Sequence, residues 1–225
     1  VELSRQRAES VQAYLVEKLS GKPFDQYLQE TIFTPLQMTN TGFLVPEANR
    51  SRFAVAYNRN DSSGALTRLP DSTRTFLNTK EHALKPGGFG LASTLDDYMK
   101  FARMLVNKGK SGNVQVLKPE TVELMATNHL SDTVTKRMWL PGKGRVGFGI
   151  DFAVRTQPPA DKEENHGVVG EFFWDGAAST LFWVDPKNEL TAVLFTQLFP
   201  FDKVKLHKRF RDAVYGVYEP ATAAK

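Results

Sequence analysis

The sequence contains no cysteine. Disulfides and thiolate metal sites are thereby excluded, and the redox compartment is left open. Histidine is scarce: His82, His129, His166 and His207 are the full set of four, scattered without metal-ligand spacing. No His-Glu-x-x-His run accompanies them, so neither a metal nor another cofactor is expected. Long apolar runs are missing too. No stretch reaches the ~18 apolar residues that a membrane span needs. Charges at Glu2, Arg5, Arg7, Glu9, Glu17 and Lys18 break up residues 1–20, where a signal peptide would keep an apolar core. No membrane partner is expected. The glycine-rich turn at 87–91 is followed by neither Lys-Ser nor Lys-Thr, which excludes a phosphate-cradling P-loop.

What is present is ordinary globular material. The 225 residues are 41% hydrophobic and 24% charged, enough for one sizeable core. The formal net charge of +4 is spread along the chain, apart from a cluster of Lys203, Lys205, Lys208, Arg209 and Arg211 with His207. These alternate at helical spacing with Val204, Leu206, Phe210, Val214 and Tyr215, so the basic face is expected to be solvated while the other buries. No base-reading motif accompanies the charge, and no nucleic-acid partner is expected.

Along the chain, Val11, Tyr14, Leu15 and Leu19 recur at helical spacing until Gly21 and Pro23 stop the run. This predicts a helix over 8–19 whose apolar face, Tyr14 included, belongs to the core. A second short helix over 24–32 carries Phe24, Tyr27, Leu28 and Ile32 on one side and ends before Pro35. Residues 45–85 are polar and read as loops with one short hairpin. Ser93 is placed to cap a helix with Asp96 and Asp97 in its first turn and Tyr98, Phe101, Met104 and Leu105 on its buried face. Pro119 marks the first turn of another helix, followed by Val122, Leu124 and Met125.

From residue 146 the composition changes. Segments 146–154, 168–174, 179–184 and 190–197 are rich in β-branched and aromatic residues and predict consecutive antiparallel strands. Asp185-Pro186-Lys187-Asn188 has the length of a short hairpin loop between the last two. A final helix over 202–218 should cover that sheet, and 221–225 reads as a frayed tail. The expected organisation is a single domain over 1–225, mainly helix and loop over 1–145, with antiparallel strands and a C-terminal helix over 146–218. In fold class this is α/β of the α+β type, an antiparallel sheet flanked by helices.

Three segments carry a family resemblance. The run from Leu19-Ser20-Gly21-Lys22-Pro23-Phe24 to Thr34-Pro35-Leu36-Gln37-Met38-Thr39-Asn40-Thr41-Gly42-Phe43 is one. Gly87-Gly88-Phe89-Gly90-Leu91-Ala92-Ser93-Thr94 is the second, and its glycines, hydroxyl cap, acidic first turn and apolar face agree in one order. Gly170-Glu171-Phe172-Phe173-Trp174-Asp175-Gly176-Ala177-Ala178-Ser179-Thr180 is the third. Together they resemble the superfamily of class C β-lactamases, family VIII carboxylesterases and penicillin-binding-protein-like hydrolases. The resemblance runs from about Val11 to Tyr218 and corresponds to the later part of a complete member, so the domain is expected to be incomplete at the N-terminus. In the third segment lactamases read Lys-Thr-Gly and many family VIII esterases Trp-Gly-Gly; Trp174-Asp175-Gly176 is nearer the esterase form.

Acyl transfer in this family needs a serine with a lysine three residues later, because i and i+3 on a helix bring hydroxyl and amine together. None of the chain's serines has one. Thr133 and Lys136 have the spacing but lie in a polar connecting stretch. The family's tyrosine motif would fall at Ser4 or Arg5, so two of three catalytic motifs are absent. The third remains. By the resemblance, the Ala177 N–H is an oxyanion donor with Gly176 beside it, and Trp174 lines the acyl pocket. Asp175, Gly88, Phe89 and His166 complete the substrate-binding candidates; ordinary sheet packing is the alternative for Trp174. Ser93 and Ser179 remain open as relocated nucleophiles. A glycosidase pair of Glu171 and Asp175 is rejected, since four strand residues span ~13 Å, beyond the ~5 to 9.5 Å such pairs need.

The resemblance implies a serine hydrolase acting on small esters or amides through an acyl-enzyme, completed by an N-terminal segment or by self-association. A catalytically inactive binding domain of the same fold is the alternative. The intracellular habit of many family VIII members leans the expected location towards the cytoplasm.

Overall fold

The computed structural model describes residues 2–70, 76–82, 85–137, 140 and 142–220, excluding the side chains of 2–10, 76 and 77. The expected tail at 221–225 lies outside them. The backbone groups into two units, Val1–Ala56 with Arg68–Phe101 and Tyr57–Thr67 with Ala102–Lys225.

The first unit opens with helix α1 (Glu2–Ser20), and Gly21, at φ 69°, turns the chain into α2 (Phe24–Leu28). The Glu17 carboxylate of α1 accepts from the Phe24 N–H at 2.9 Å and so caps α2 from outside, because Pro23 at the N-cap provides no side-chain oxygen. The helix expected over 24–32 divides: after Leu28 the chain widens into a π-turn, Gln29–Phe33, closed by Thr34 N–H to Gln29 O at 2.8 Å. The Thr31 hydroxyl donates to the Tyr27 carbonyl at 2.6 Å, a local side-chain competitor of the kind that loosens helices.

The core of this unit gathers Ala13, Phe24 and Phe43, with Val16 and Leu28 against it. That corrects the reading of α1. Its small Ala13 is the buried position, while Val11, Tyr14 and Leu15 are half exposed and Leu19 is 87% exposed. Periodicity identified an apolar stripe; it did not say that anything covers the stripe.

A 3₁₀ turn (Glu47–Arg52) and a short helix α3 (Phe76–Thr79) follow, and an isolated antiparallel bridge joins Gly42 to Ala92. Helix α4 (Leu95–Val106) then begins one residue later than expected. Its cap is Thr94, whose Oγ1 accepts the Asp97 N–H at 3.3 Å, whereas the Ser93 hydroxyl pairs with the Thr41 hydroxyl at 2.7 Å. Asp97 is buried and accepts from Asn40 N–H, Thr41 Oγ1 and Lys100 Nζ at 2.7, 3.1 and 2.9 Å.

The second unit contains the hairpin expected between 45 and 85, as β1 (Tyr57–Arg59) and β2 (Leu66–Arg68). It turns on Asn60, whose Oδ1 accepts the N–H groups of Ser62 and Ser63. After α4, a two-residue hairpin of β3 (Lys110–Ser111) and β4 (Val114–Gln115) leads to α5 (Pro119–Met125), which has Pro119 in its first turn as expected. Gly109 precedes β3 at φ 84°, and a Cβ there would overlap the Leu117 carbonyl oxygen.

The main sheet is a five-stranded antiparallel meander, β5 (Val146–Phe148), β6 (Ala153–Arg155), β7 (Phe172–Asp175), β8 (Leu181–Asp185) and β9 (Leu190–Leu194), in that order. The single strand expected over 146–154 is a hairpin, since Asp151 adopts φ 63° and Gly149 N–H bonds Phe152 O at 2.8 Å. Likewise 190–197 stops at Leu194, and the chain re-pairs as β10 (Leu198–Phe199), parallel to β1. Cross-strand alignment of Ala153, Phe173, Trp183 and Ala192 puts them on one face, with Leu140 and, from α6 (Leu206–Tyr215), Phe210 and Tyr215 packed against it. Helix α6 is shorter than the 202–218 expected, because Asp202 and Lys205 have left-handed backbones and Gly216 ends it at φ 85°. Its basic face is not wholly solvated: Arg211 is buried over the rings of Phe173 and Trp183, at 4.7 and 4.6 Å from their centroids.

Candidate active site

The candidate site is the connection between β7 and β8. Small residues let the chain reverse tightly there. Gly176 N–H bonds Thr180 O at 3.1 Å, and Ser179 N–H bonds Gly176 O at 2.9 Å. Gly176 is thus held by the turn itself, and a Cβ at this position would collide with the Thr180 hydroxyl. Ala177 at the tip is exposed, and among the described residues its N–H has no backbone acceptor. That leaves one backbone donor without a backbone partner, the type of group that stabilises a developing oxyanion.

Trp174 and Asp175, at the end of β7, are half-buried. The Trp174 ring meets Phe148 edge-on at 5.4 Å. Asp175 forms a short ion pair with Lys143, whose ammonium also lies 4.6 Å from the Trp174 ring centroid and 5.5 Å from that of Phe201. Lys143 had no signal in the sequence: it lies 32 positions from Asp175, outside any strand or helix.

His166 lies in the connection between β6 and β7, not at the β7–β8 turn. Its Nδ1 contacts the Gly216 carbonyl at 2.9 Å, and its ring is flanked by Tyr215 and Tyr218 at 5.0 and 5.3 Å. Tyr215 in turn donates to Asp185 and accepts from Trp183 Nε1, both at 2.9 Å, so this group gathers where β8 ends while Asp175 faces Leu181, where β8 begins. Burial and the nearby carboxylates hold the Tyr215 phenol well above its ordinary range.

Glu171 is fully buried between two arginines, with Arg211 Nη1 at 2.8 Å and Arg155 Nε at 3.3 Å from its Oε1. Burial lowers the Arg211 pKa, opposed by Glu171. Gly88 and Phe89 lie in the first unit, in an exposed bend before Gly90, whose carbonyl accepts from Asn78 Nδ2 at 2.6 Å. Of the two serines kept as nucleophile candidates, Ser179 is wholly buried; its hydroxyl donates to Leu198 O at 3.0 Å and accepts from Asp202 N–H at 2.9 Å. His207 Nε2 contacts the Ser179 carbonyl at 3.1 Å, not its hydroxyl. This resembles a Ser-His-Asp set in composition but lacks the base-to-hydroxyl bond that activation needs.

The sequence profile described as Beta-lactamase matches residues 8–215. The chain belongs to the β-lactamase family. An uncharacterized protein of Mycobacterium tuberculosis is 32% identical over 193 residues, which make up 83% of this chain and 46% of that protein. Monacolin J acid methylbutanoyltransferase of Aspergillus terreus is 28% identical over 224 residues, 91% of this chain and 52% of the enzyme. In three dimensions, unliganded simvastatin synthase from the same fungus matches with a TM-score of 0.74 and 25% identity, over 92% of this chain and 54% of that one. The chain therefore spans about half the length of the relatives it matches. The antiparallel sheet flanked by helices is the β-lactamase and transpeptidase-like fold anticipated from the sequence.

Proposed function

We propose that the chain is the sheet-bearing, later portion of a carboxylesterase-type serine hydrolase, which cleaves a small ester or amide through an acyl-enzyme. In this reading it supplies the oxyanion donor and acyl pocket, and the nucleophile comes from a complementary segment. The observation that carries this is exposed Ala177, whose N–H has no backbone acceptor among the described residues, just past the strand bearing Trp174. The relative named for methylbutanoyl transfer supports acyl chemistry on this fold.

Two surfaces support a complementary segment. Strand β9 has β8 as its sole hydrogen-bonded neighbour among the described residues, which leaves a row of backbone groups for another strand. The uncovered apolar stripe of α1 is a second docking face. The matching share of about half of each relative supports the remainder of such a protein as the occupant.

The second reading, an inactive binding domain, is favoured by the lack of any Ser-x-x-Lys in the chain. A fluorophosphonate probe with intact-mass analysis, beside p-nitrophenyl butyrate turnover, separates the readings. The expected outcome is no adduct on the isolated chain and a stoichiometric adduct with turnover once a complementary segment carrying Ser-x-x-Lys is supplied, mapped to the serine of that segment. An adduct on a serine of this chain would overturn the complementation reading, and no adduct in either form would leave the binding domain.

A further inference from the structure

Asp175 raises an electrostatic problem for the acyl-transfer reading. A carboxylate two residues from an oxyanion donor opposes the charge that grows there, and the opposition strengthens as the site is desolvated. Lys143 is built to answer it. Its N–H is fixed to Leu140 O at 3.0 Å, its ammonium pairs with Asp175, and it is covered by the faces of Trp174 and Phe201. With both partner side chains largely buried, at 7% and 11% exposure, the ammonium is shielded from solvent and committed to this carboxylate.

We propose that Lys143 is a positioning residue for the oxyanion donor: it cancels the charge of Asp175 and holds the Trp174 ring, so that an anionic oxygen is tolerated at the Ala177 N–H. This rests on the reading of Ala177 given above. The pair contributes no net formal charge to the end of β7, which leaves the backbone dipole at the tip of the turn to determine the local preference. A residue that served only packing would not need an ammonium beneath two rings and against a carboxylate.

The test uses the chain as it is and does not need the nucleophile. Butyrate, which carries a carboxylate on a short acyl group, is titrated against ¹⁵N-labelled protein, and the shift of the Ala177 amide reports binding. Lys143→Met leaves Asp175 unneutralised, and butyrate should then bind roughly tenfold more weakly, equivalent to about 1.4 kcal/mol. Adding Asp175→Asn to that variant removes the offending charge and should restore binding; an unpaired buried carboxylate also destabilises the fold, so affinities are compared well below the melting transition of each variant, where a purely structural loss is absent. Lys143→Arg, which keeps the charge, should retain most of the affinity. The proposal is overturned if Lys143→Met binds like the parent, or if the double variant remains as weak as Lys143→Met while melting as cooperatively as the parent. If the parent shows no butyrate shift at Ala177, the oxyanion reading itself fails, an outcome distinct from a Lys143 that simply does not matter.

Discussion

Glu171 shows what single residues do in this chain. Read from the sequence, it was half of a carboxylate pair rejected for catalysis; in the fold it is the counter-charge for Arg155 and Arg211, and Arg155 reaches Glu164 as well, at 3.2 Å. Removing one member of such a group leaves the others charged and dry. Glu171→Ala should therefore cost about 3–5 kcal/mol, read as a fall in the urea midpoint with an unchanged slope. Tyr98 titrates in the opposite sense to a salt-bridged acid. Burial pushes its phenol up to about 12. Its unfolded value is about 10, so between these values the unfolded chain loses a proton that the fold retains. Stability should be intact below pH 10 and decline as pH rises towards 12, by up to about 2 kcal/mol given partial solvent contact. Tyr98→Phe should flatten that decline in alkaline thermal melts.

At the scale of elements, legibility in the sequence depended on whether a signal was local. Helix α4 was readable because its acidic first turn and apolar face lie within one dozen residues. The cap moved from Ser93 to Thr94 because two adjacent hydroxyls offer the same chemistry, and only Thr94 Oγ1 reaches the Asp97 N–H. The strands were recognised by composition but not delimited, since Gly149-Ile150-Asp151 conceals its turn behind a β-branched residue. Helix α1 was misread because an apolar stripe looks the same whether covered or bare. Its bare face has a measurable consequence. Concentrated solutions of the isolated chain should self-associate through this stripe, and Leu19→Glu combined with Leu15→Glu should shift sedimentation velocity profiles towards monomer. Unchanged association in that variant would place the contact elsewhere, with the β9 edge as the next surface to block.

For the molecule as a whole, the order of motifs along the sequence sufficed for the fold class, because glycine turn, capped helix and aromatic strand succeed one another as they do in the family. The candidate site was only partly legible. Trp174, Asp175, Gly176 and Ala177 are contiguous and arrive together at the end of one strand, whereas Lys143 reaches them from a loop far along the chain. His166 precedes that strand in sequence, yet an antiparallel meander carries it to where β8 ends, beside Tyr215. An ion pair distant in sequence decided the first placement and pairing across the sheet the second, and no single segment encodes either.

Gly109 extends this to how the gene can vary. Its backbone is left-handed, and the space a Cβ would occupy already holds the Leu117 carbonyl oxygen. Any other amino acid must displace main chain there, however small its side chain. A missense change at that codon should therefore carry a folding cost whatever residue it introduces, and only changes at the synonymous third base escape it.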